Sequence, residues 1–303
     1  MARRIVVTAP RPAPFFTPVF VAVDRFLPEE GLEGEVQYGV QNGRERALKG
    51  EVDFIATGVG RGARLEPSGM KLIAQHETRA TTHTLMVRPQ IESAHQIMGL
   101  VMMTGIGQES DDTALDRELK NILLPHGIQL AQSDIGLFRV DGGHPAQYQA
   151  LQEGIGDGAC LGAPYWVFLL KEGYHNLGCE ADSAPGYGCG GVLASEEKIA
   201  QNPGEVQAFV RAYVKAIRFC RDNPEETMKL MVKYSADWGV EDESVAREMY
   251  RMLSPYWDEH IDPSVIQRLL ERTSELTGQP VEPIESVLDT RFLDEALRTL
   301  PPK

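Results

Sequence analysis

Asn42-Gly-Arg-Glu-Arg-Ala-Leu-Lys-Gly50 runs straight into Glu51-Val-Asp-Phe-Ile-Ala-Thr-Gly-Val59, and this junction decides the fold. The first piece holds helix formers and ends on a glycine, the residue that most easily adopts the left-handed conformation of a helix C-terminus. The second carries a short apolar run from Asp53 to Val59 bounded by Gly and polar residues, which predicts a strand. Val36–Val40 predicts a strand before them. Strand, helix and strand in that order close as a parallel pair with a right-handed crossover, so the sheet is expected to be mainly parallel and covered by helices.

Working outward, Ile5–Val7, Leu72–Gln75 and Leu85–Val87 complete a first set of strands within about ninety residues. A second set follows, with strands predicted at Leu100–Thr104, Ile135–Val140 and Gly158–Leu161, helices from Pro145 to about Glu153 and over Pro164–Lys171, and a return strand at Gly191–Ala194. Leu115, Leu119, Ile122 and Leu123 form one apolar helical face. From Pro203 the chain reads as helical. Val206, Phe209, Val210, Tyr213, Val214 and Ile217 recur at helical spacing, and Asn223-Pro-Glu-Glu226 and Asp262-Pro-Ser264 are helix starts with proline in the first turn. The class is α/β, in two lobes.

The 303 residues are enough for two medium domains, and 42% hydrophobic with 24% charged residues is the balance of a chain that folds throughout. A formal charge of −14 argues against nucleic acid, whose phosphates need clustered Lys and Arg. Cys160, Cys179, Cys189 and Cys220 lack the Cys-x-x-Cys spacing of zinc or dithiol centres, so buried reduced thiols are expected. After Met1-Ala-Arg-Arg only Ile5, Val6 and Val7 are apolar, short of the roughly 7–15 residues of a secretory core. No run reaches the ~20 apolar residues of a membrane span. These features lead to the expectation of a cytoplasmic protein, or a periplasmic one if the sequence is a trimmed mature form.

Leu48-Lys-Gly-Glu-Val-Asp-Phe-Ile-Ala-Thr57, its counterpart Leu151-Gln-Glu-Gly-Ile-Gly-Asp-Gly-Ala159, and Ala163-Pro-Tyr-Trp166 resemble segments of the type II periplasmic-binding-protein superfamily, in the branch of the nitrate, sulfonate and taurine binders and the thiamine-pyrimidine synthases. Leu276-Thr-Gly-Gln279 and Asp289-Thr-Arg-Phe-Leu-Asp-Glu-Ala296 are similar to its C-terminal helices. The resemblance implies one lobe from residues 1–92 plus 192–303, a second from 93–191, and a ligand in the interlobe cleft beyond the C-terminal ends of the strands. Open α/β sheets bind there on physical grounds as well. The cysteine-rich patch of the synthases is missing, since Tyr187-Gly-Cys-Gly-Gly191 has one cysteine.

The candidate ligand contacts are therefore residues that follow strands. Phe15, Phe16 and Thr17 follow the first; the rings either stack on a flat ligand or belong to the core. Thr57 and Gly58 offer a hydroxyl and backbone N–H groups, or form a plain glycine turn. His76-Glu77 and Arg79, with His83 beyond, are the densest polar group near a strand end, either a cationic clamp with acid–base capacity or a solvated cluster. The seven-residue gap between His76 and His83 is not metal-ligand spacing, and no metal or cofactor is expected.

In the second set, Gly105-Ile-Gly-Gln-Glu-Ser-Asp-Asp112 leads into a helix and brings Gln108, whereas Glu109, Asp111 and Asp112 cap that helix or face a ligand amine. His144, in Asp141-Gly-Gly-His144, is a ligand contact or part of a turn. Tyr165 and Tyr187 fall on the hinge side in the resemblance, where an aromatic acts as a lid. Cys189 and His76 are the candidates for catalysis. Because no nucleophile–base pair or cofactor fingerprint emerges, the favoured function is binding a small anionic or heterocyclic metabolite, as the solute-binding proteins of ABC transporters do. Its partner would be a transporter permease if an exported form exists. The alternative is a cytoplasmic enzyme on the same scaffold, such as a decarboxylase, dehydratase or pyrimidine-forming enzyme.

Overall fold

The computed structural model describes residues 4–38, 42–58, 69–76, 83–104, 119, 122–129, 134–183, 190–277 and 280–301. The chain divides into two compact units, Met1–Arg79 with Gly186–Lys303, and Ala80–Pro185. Each contains a five-stranded mixed sheet.

In the first unit, β1 (Arg4–Ala9), β2 (Glu33–Tyr38), β3 (Phe54–Gly58) and β4 (Met70–Gln75) run one way. The later strand β10 (Gly190–Ser195) lies reversed between β3 and β4, giving the order β2-β1-β3-β10-β4. Neighbouring residues of β3 bury opposite faces, as the two-residue period of a strand requires. Phe54 stacks on Phe209, with centroids 4.1 Å apart, from the helix Pro203–Asp222. Ile55 instead joins Ala47, Leu72, Leu193, Ile266 and Leu270. The sheet is thus covered on both faces.

The second unit repeats the plan with β5 (Thr84–Val87), β6 (Val101–Thr104), β7 (Gly136–Arg139), β8 (Gly158–Leu161) and β9 (His175–Cys179) in the order β7-β6-β8-β5-β9. Here β5 is the reversed strand. Its sequence groups with the first set of strands, but all its ladder bonds are to β8 and β9, a long-range pairing that hydrophobic pattern does not encode. Leu85, Val87, Ile97, Met102, Ile122, Cys160 and Leu177 form the core.

The two glycine–aspartate motifs have one structural job. Asp53 N–H donates to the Val6 carbonyl and its Oδ2 accepts from Val6 N–H, both at 2.8 Å. Asp157 does the same with Val101, at 2.7 and 2.8 Å. Each aspartate latches the start of a central strand to its neighbour and carries a cation. Lys198 Nζ lies 2.7 Å from Asp53 Oδ1 and also pairs with Glu205, and Arg88 lies 3.8 Å from Asp157. Lys198 is brought there by the helix Glu196–Gln201, whose N-cap Ser195 accepts from Lys198 N–H at 3.0 Å. Ser195→Ala is therefore expected to cost about 1 kcal/mol in chemical denaturation, the usual value of an N-cap.

Three elements differ from the sequence expectation. The proline-rich stretch after β1, where no helix is expected from the sequence, holds a 3₁₀ turn over Pro14–Phe16 and a helix over Thr17–Val21. Pro14 and Pro18 occupy first-turn positions, where a missing N–H costs nothing. The strand β9 has no counterpart in the sequence expectation because His175-Asn-Leu-Gly-Cys179 offers only two apolar residues, separated by a glycine. The second strand is offset to Glu33–Tyr38. Cys160, Cys179 and Cys220 are buried.

Candidate functional site

Within the first unit, the C-terminal edge of the parallel strands gathers the end of β4, the start of β10 and the turn after β1. His76 follows β4 directly and is fully buried. Its backbone is fixed on both sides, since its N–H donates to the Gly190 carbonyl at 2.9 Å and its carbonyl accepts from Asp258 N–H at 3.0 Å. The imidazole lies across Gly190, and a Cβ added there would run into the ring, so glycine is the residue that leaves room. His76 Nδ1 shares a hydrogen bond with the buried Tyr213 hydroxyl, whereas Nε2 is buried with no partner among the described residues.

Phe15 and Phe16 flank this imidazole, each with its centroid 6.3 Å away, Phe15 nearly parallel and Phe16 edge-on. Phe15 is half-buried; Phe16 is enclosed. Burial drives the His76 pKa down from 6.5 to about 3, because an imidazolium would lose its hydration, and the Phe15 backbone carbonyl offsets this only in part. His76 is accordingly a neutral hydrogen-bonding group near pH 7. Gln75, the last residue of β4, is also fully buried, and neither its amide nitrogen nor its amide oxygen has a partner among the described residues. Thr17 is buried, with its hydroxyl donating to the Pro14 carbonyl at 2.5 Å. Thr57 is half-buried at the end of β3, beside Gly58.

Within the second unit, the corresponding edge holds His83, Thr84, His144, Gln147, Gly162 and Tyr165. The His83 and His144 rings meet edge to face, 4.9 Å apart, and both press on Gly162. Gly162 N–H donates to His144 Nδ1 at 3.2 Å, which makes Nδ1 the acceptor and leaves the proton of the neutral ring on Nε2. Gln147 sits in the first turns of the helix His144–Gln152, where its amide nitrogen donates to the Met103 carbonyl at 3.1 Å and its oxygen stays buried with no partner among the described residues. The Thr84 hydroxyl is likewise buried without a partner among the described residues. Glu180, fully buried, joins this edge through its N–H to the His83 carbonyl at 2.9 Å. Tyr165 is buried against Tyr148 and Phe168.

Of the residues expected from sequence, Phe16, Thr17, Thr57, Gly58 and His76 thus share the strand-end edge of the first unit, and His144 and Tyr165 that of the second. Arg79, Gln108, Tyr187 and Cys189 lie outside the described residues. Gln75, Thr84, Gln147 and Glu180 are additions. Among the described residues, Asp258, Glu259 and His260 have ligand atoms close enough for a metal ion. Glu259, however, is held at 2.9 Å by both Arg218 and Arg221, and Asp258 Oδ1 accepts from His260. No described helix is long and apolar enough to cross a membrane.

No family model matches the chain. Over 71 residues it is 31% identical to the riboflavin-binding protein RibY of Chloroflexus aurantiacus, a stretch covering 23% of this chain and 20% of that protein. Solved structures match over nearly the whole length. The ligand-binding component of an ABC-type import system from Staphylococcus aureus, with zinc bound, superposes with a TM-score of 0.75 at 17% identity, covering 98% of this chain and all of that one. The putative periplasmic sulfonate-binding protein SsuA of Methylobacillus flagellatus gives 0.72 at 18%, covering 98% and 94%. The desulfurization enzyme DSZB gives 0.68 at 18%, covering 97% and 99%. Two mixed five-stranded sheets, each with one reversed strand and helices around it, are in this chain the fold of the type II periplasmic binding proteins.

Proposed function

We propose that this protein binds a small organic molecule at the C-terminal edges of its parallel strands, as a solute-binding protein of the ABC-transporter type, with a membrane permease as partner in an exported form. One observation carries the proposal. Buried polar atoms normally have hydrogen-bond partners, and leaving one without costs about 1–3 kcal/mol. Among the described residues Gln75, His76, Thr84 and Gln147 break that rule, the first two at the strand-end edge of the first unit and the other two at that of the second, where open α/β sheets take ligands. The fold shared with ABC-type binders supports the same function.

The test is thermal denaturation against a panel of neutral heterocycles, carboxylates and sulfonates, followed by Gly162→Ala. A Cβ at Gly162 would stand 3.0–3.2 Å from the His144 and His83 rings, tight enough to shift them. At least one ligand class is expected to raise the melting temperature of the parent, and Gly162→Ala to weaken that response. A panel without any response would remove the proposal.

A further inference from the structure

The latch ion pairs and the unpartnered polar atoms of Gln75, His76, Thr84 and Gln147 lie at opposite edges of the sheets. The ion pairs Lys198–Asp53 and Arg88–Asp157 both lie where the parallel strands begin. They belong to the latches on Val6 and Val101, and each cation already has its counter-ion. At the opposite edge of each sheet, where the strands end, the buried atoms without partners among the described residues are uncharged: the amide N–H₂ and C=O of Gln75 and His76 Nε2 in the first unit, the Thr84 hydroxyl and the Gln147 carbonyl in the second. The one fully buried charged side chain described at that edge is Glu180, a carboxylate, which opposes an anion rather than seating one.

Building on the binding function proposed above, we infer that the ligand is an uncharged planar heterocycle whose edge alternates hydrogen-bond acceptors and donors, as a cyclic imide does, rather than a carboxylate or sulfonate. The Gln75 amide offers a donor and an acceptor side by side, the pairing such an edge completes. The half-buried Phe15 ring, nearly parallel to the neutral His76 imidazole, supplies a face for a flat ring. A charged donor would favour an anion, but the arginines described at these edges are already engaged, Arg11 over the Trp238 ring and Arg139, which ends β7, with Asp141 at 2.9 Å.

Two neutral probes with an imide edge, riboflavin and thymine, and two anions, ethanesulfonate and benzoate, test the inference by flavin fluorescence and thermal shift. Riboflavin or thymine is expected to bind. Gln75→Leu keeps the size of the side chain and removes both unpartnered atoms, so its melting temperature should equal or exceed the parent's while its affinity for the imide probe falls about ten-fold or more. Gln147→Leu is the second variant, reporting on the second unit if Gln75→Leu fails to fold. Binding of the anions alone, or of an imide probe as tightly to the variants as to the parent, overturns the inference and leaves the small-molecule binder intact. Silence from every probe and from the wider panel removes both.

Discussion

Asp53→Ala is expected to destabilise the protein by about 3–5 kcal/mol, a large part of the stability of an ordinary domain. The carboxylate is 6% exposed, and each oxygen has its own task, one on Lys198 and one on Val6 N–H. Its removal leaves the Lys198 ammonium, 7% exposed, with Glu205 alone and orphans a backbone donor at the centre of the sheet. Breaking one side of a buried pair is costly because the remaining charge has no water to return to. Asp53→Asn can still accept from Val6 but carries no charge, and should fall between parent and alanine variant. Asp157→Ala is the control, since that side chain and Arg88 keep about a quarter of their surface in water, and its cost should be about 1–2 kcal/mol. Urea denaturation measures all three. A cost for Asp53→Ala within about 0.5 kcal/mol would mean the latch is redundant.

Acid sensitivity is the second large effect, and it centres on His76. In the folded protein its imidazole stays neutral down to about pH 3, whereas in the unfolded chain it takes a proton near pH 6.5. Between those values the unfolded state binds more protons, so stability falls as the pH falls and is unaffected by this group above about pH 7. The loss is about 1.4 kcal/mol per pH unit through that window and about 4–5 kcal/mol in all. Carboxylates contribute acid sensitivity of their own, which the comparison with His76→Gln removes. Between about pH 7 and pH 5 the parent should lose about 2 kcal/mol more than the variant. If the two lose stability in parallel, the imidazole titrates normally in the fold and is not sealed from water.

The latch aspartates show how much of the fold the sequence carries. Asp53 and Asp157 are recognisable because each stands at a fixed offset after a helix-ending glycine and before an apolar strand, a local pattern. Their hydrogen bonds to Val6 and Val101 are long-range and follow only from the sheet order. The same division holds at the candidate site. His76 is legible because histidine is rare and chemically expressive, and it lies one residue past a predicted strand. Gln75 beside it carries no such mark, since a glutamine becomes informative only when its amide is found buried without a partner, a property of tertiary packing. Gln147 is hidden for the same reason. The strand His175–Cys179 is missed because two apolar residues around a glycine are too short a run to mark a strand, and its place at the sheet edge comes from pairing with β5.

The reversed strand β10 has a consequence for the order in which the chain can assemble as it is made. In the first sheet, β4 is bonded to β10 and not to β3, and β10 spans Gly190–Ser195. More than a hundred residues therefore emerge from a ribosome between β4 and the strand that attaches it. Until then β3 offers a bare edge, and the helix Pro203–Asp222, which covers Phe54, is still unmade. The second unit, Ala80–Pro185, is continuous and has all five of its strands by then. Synthesis thus delivers the inserted unit complete while its host is still open, and the nascent first sheet is the stage at which the chain most needs protection from other exposed strands.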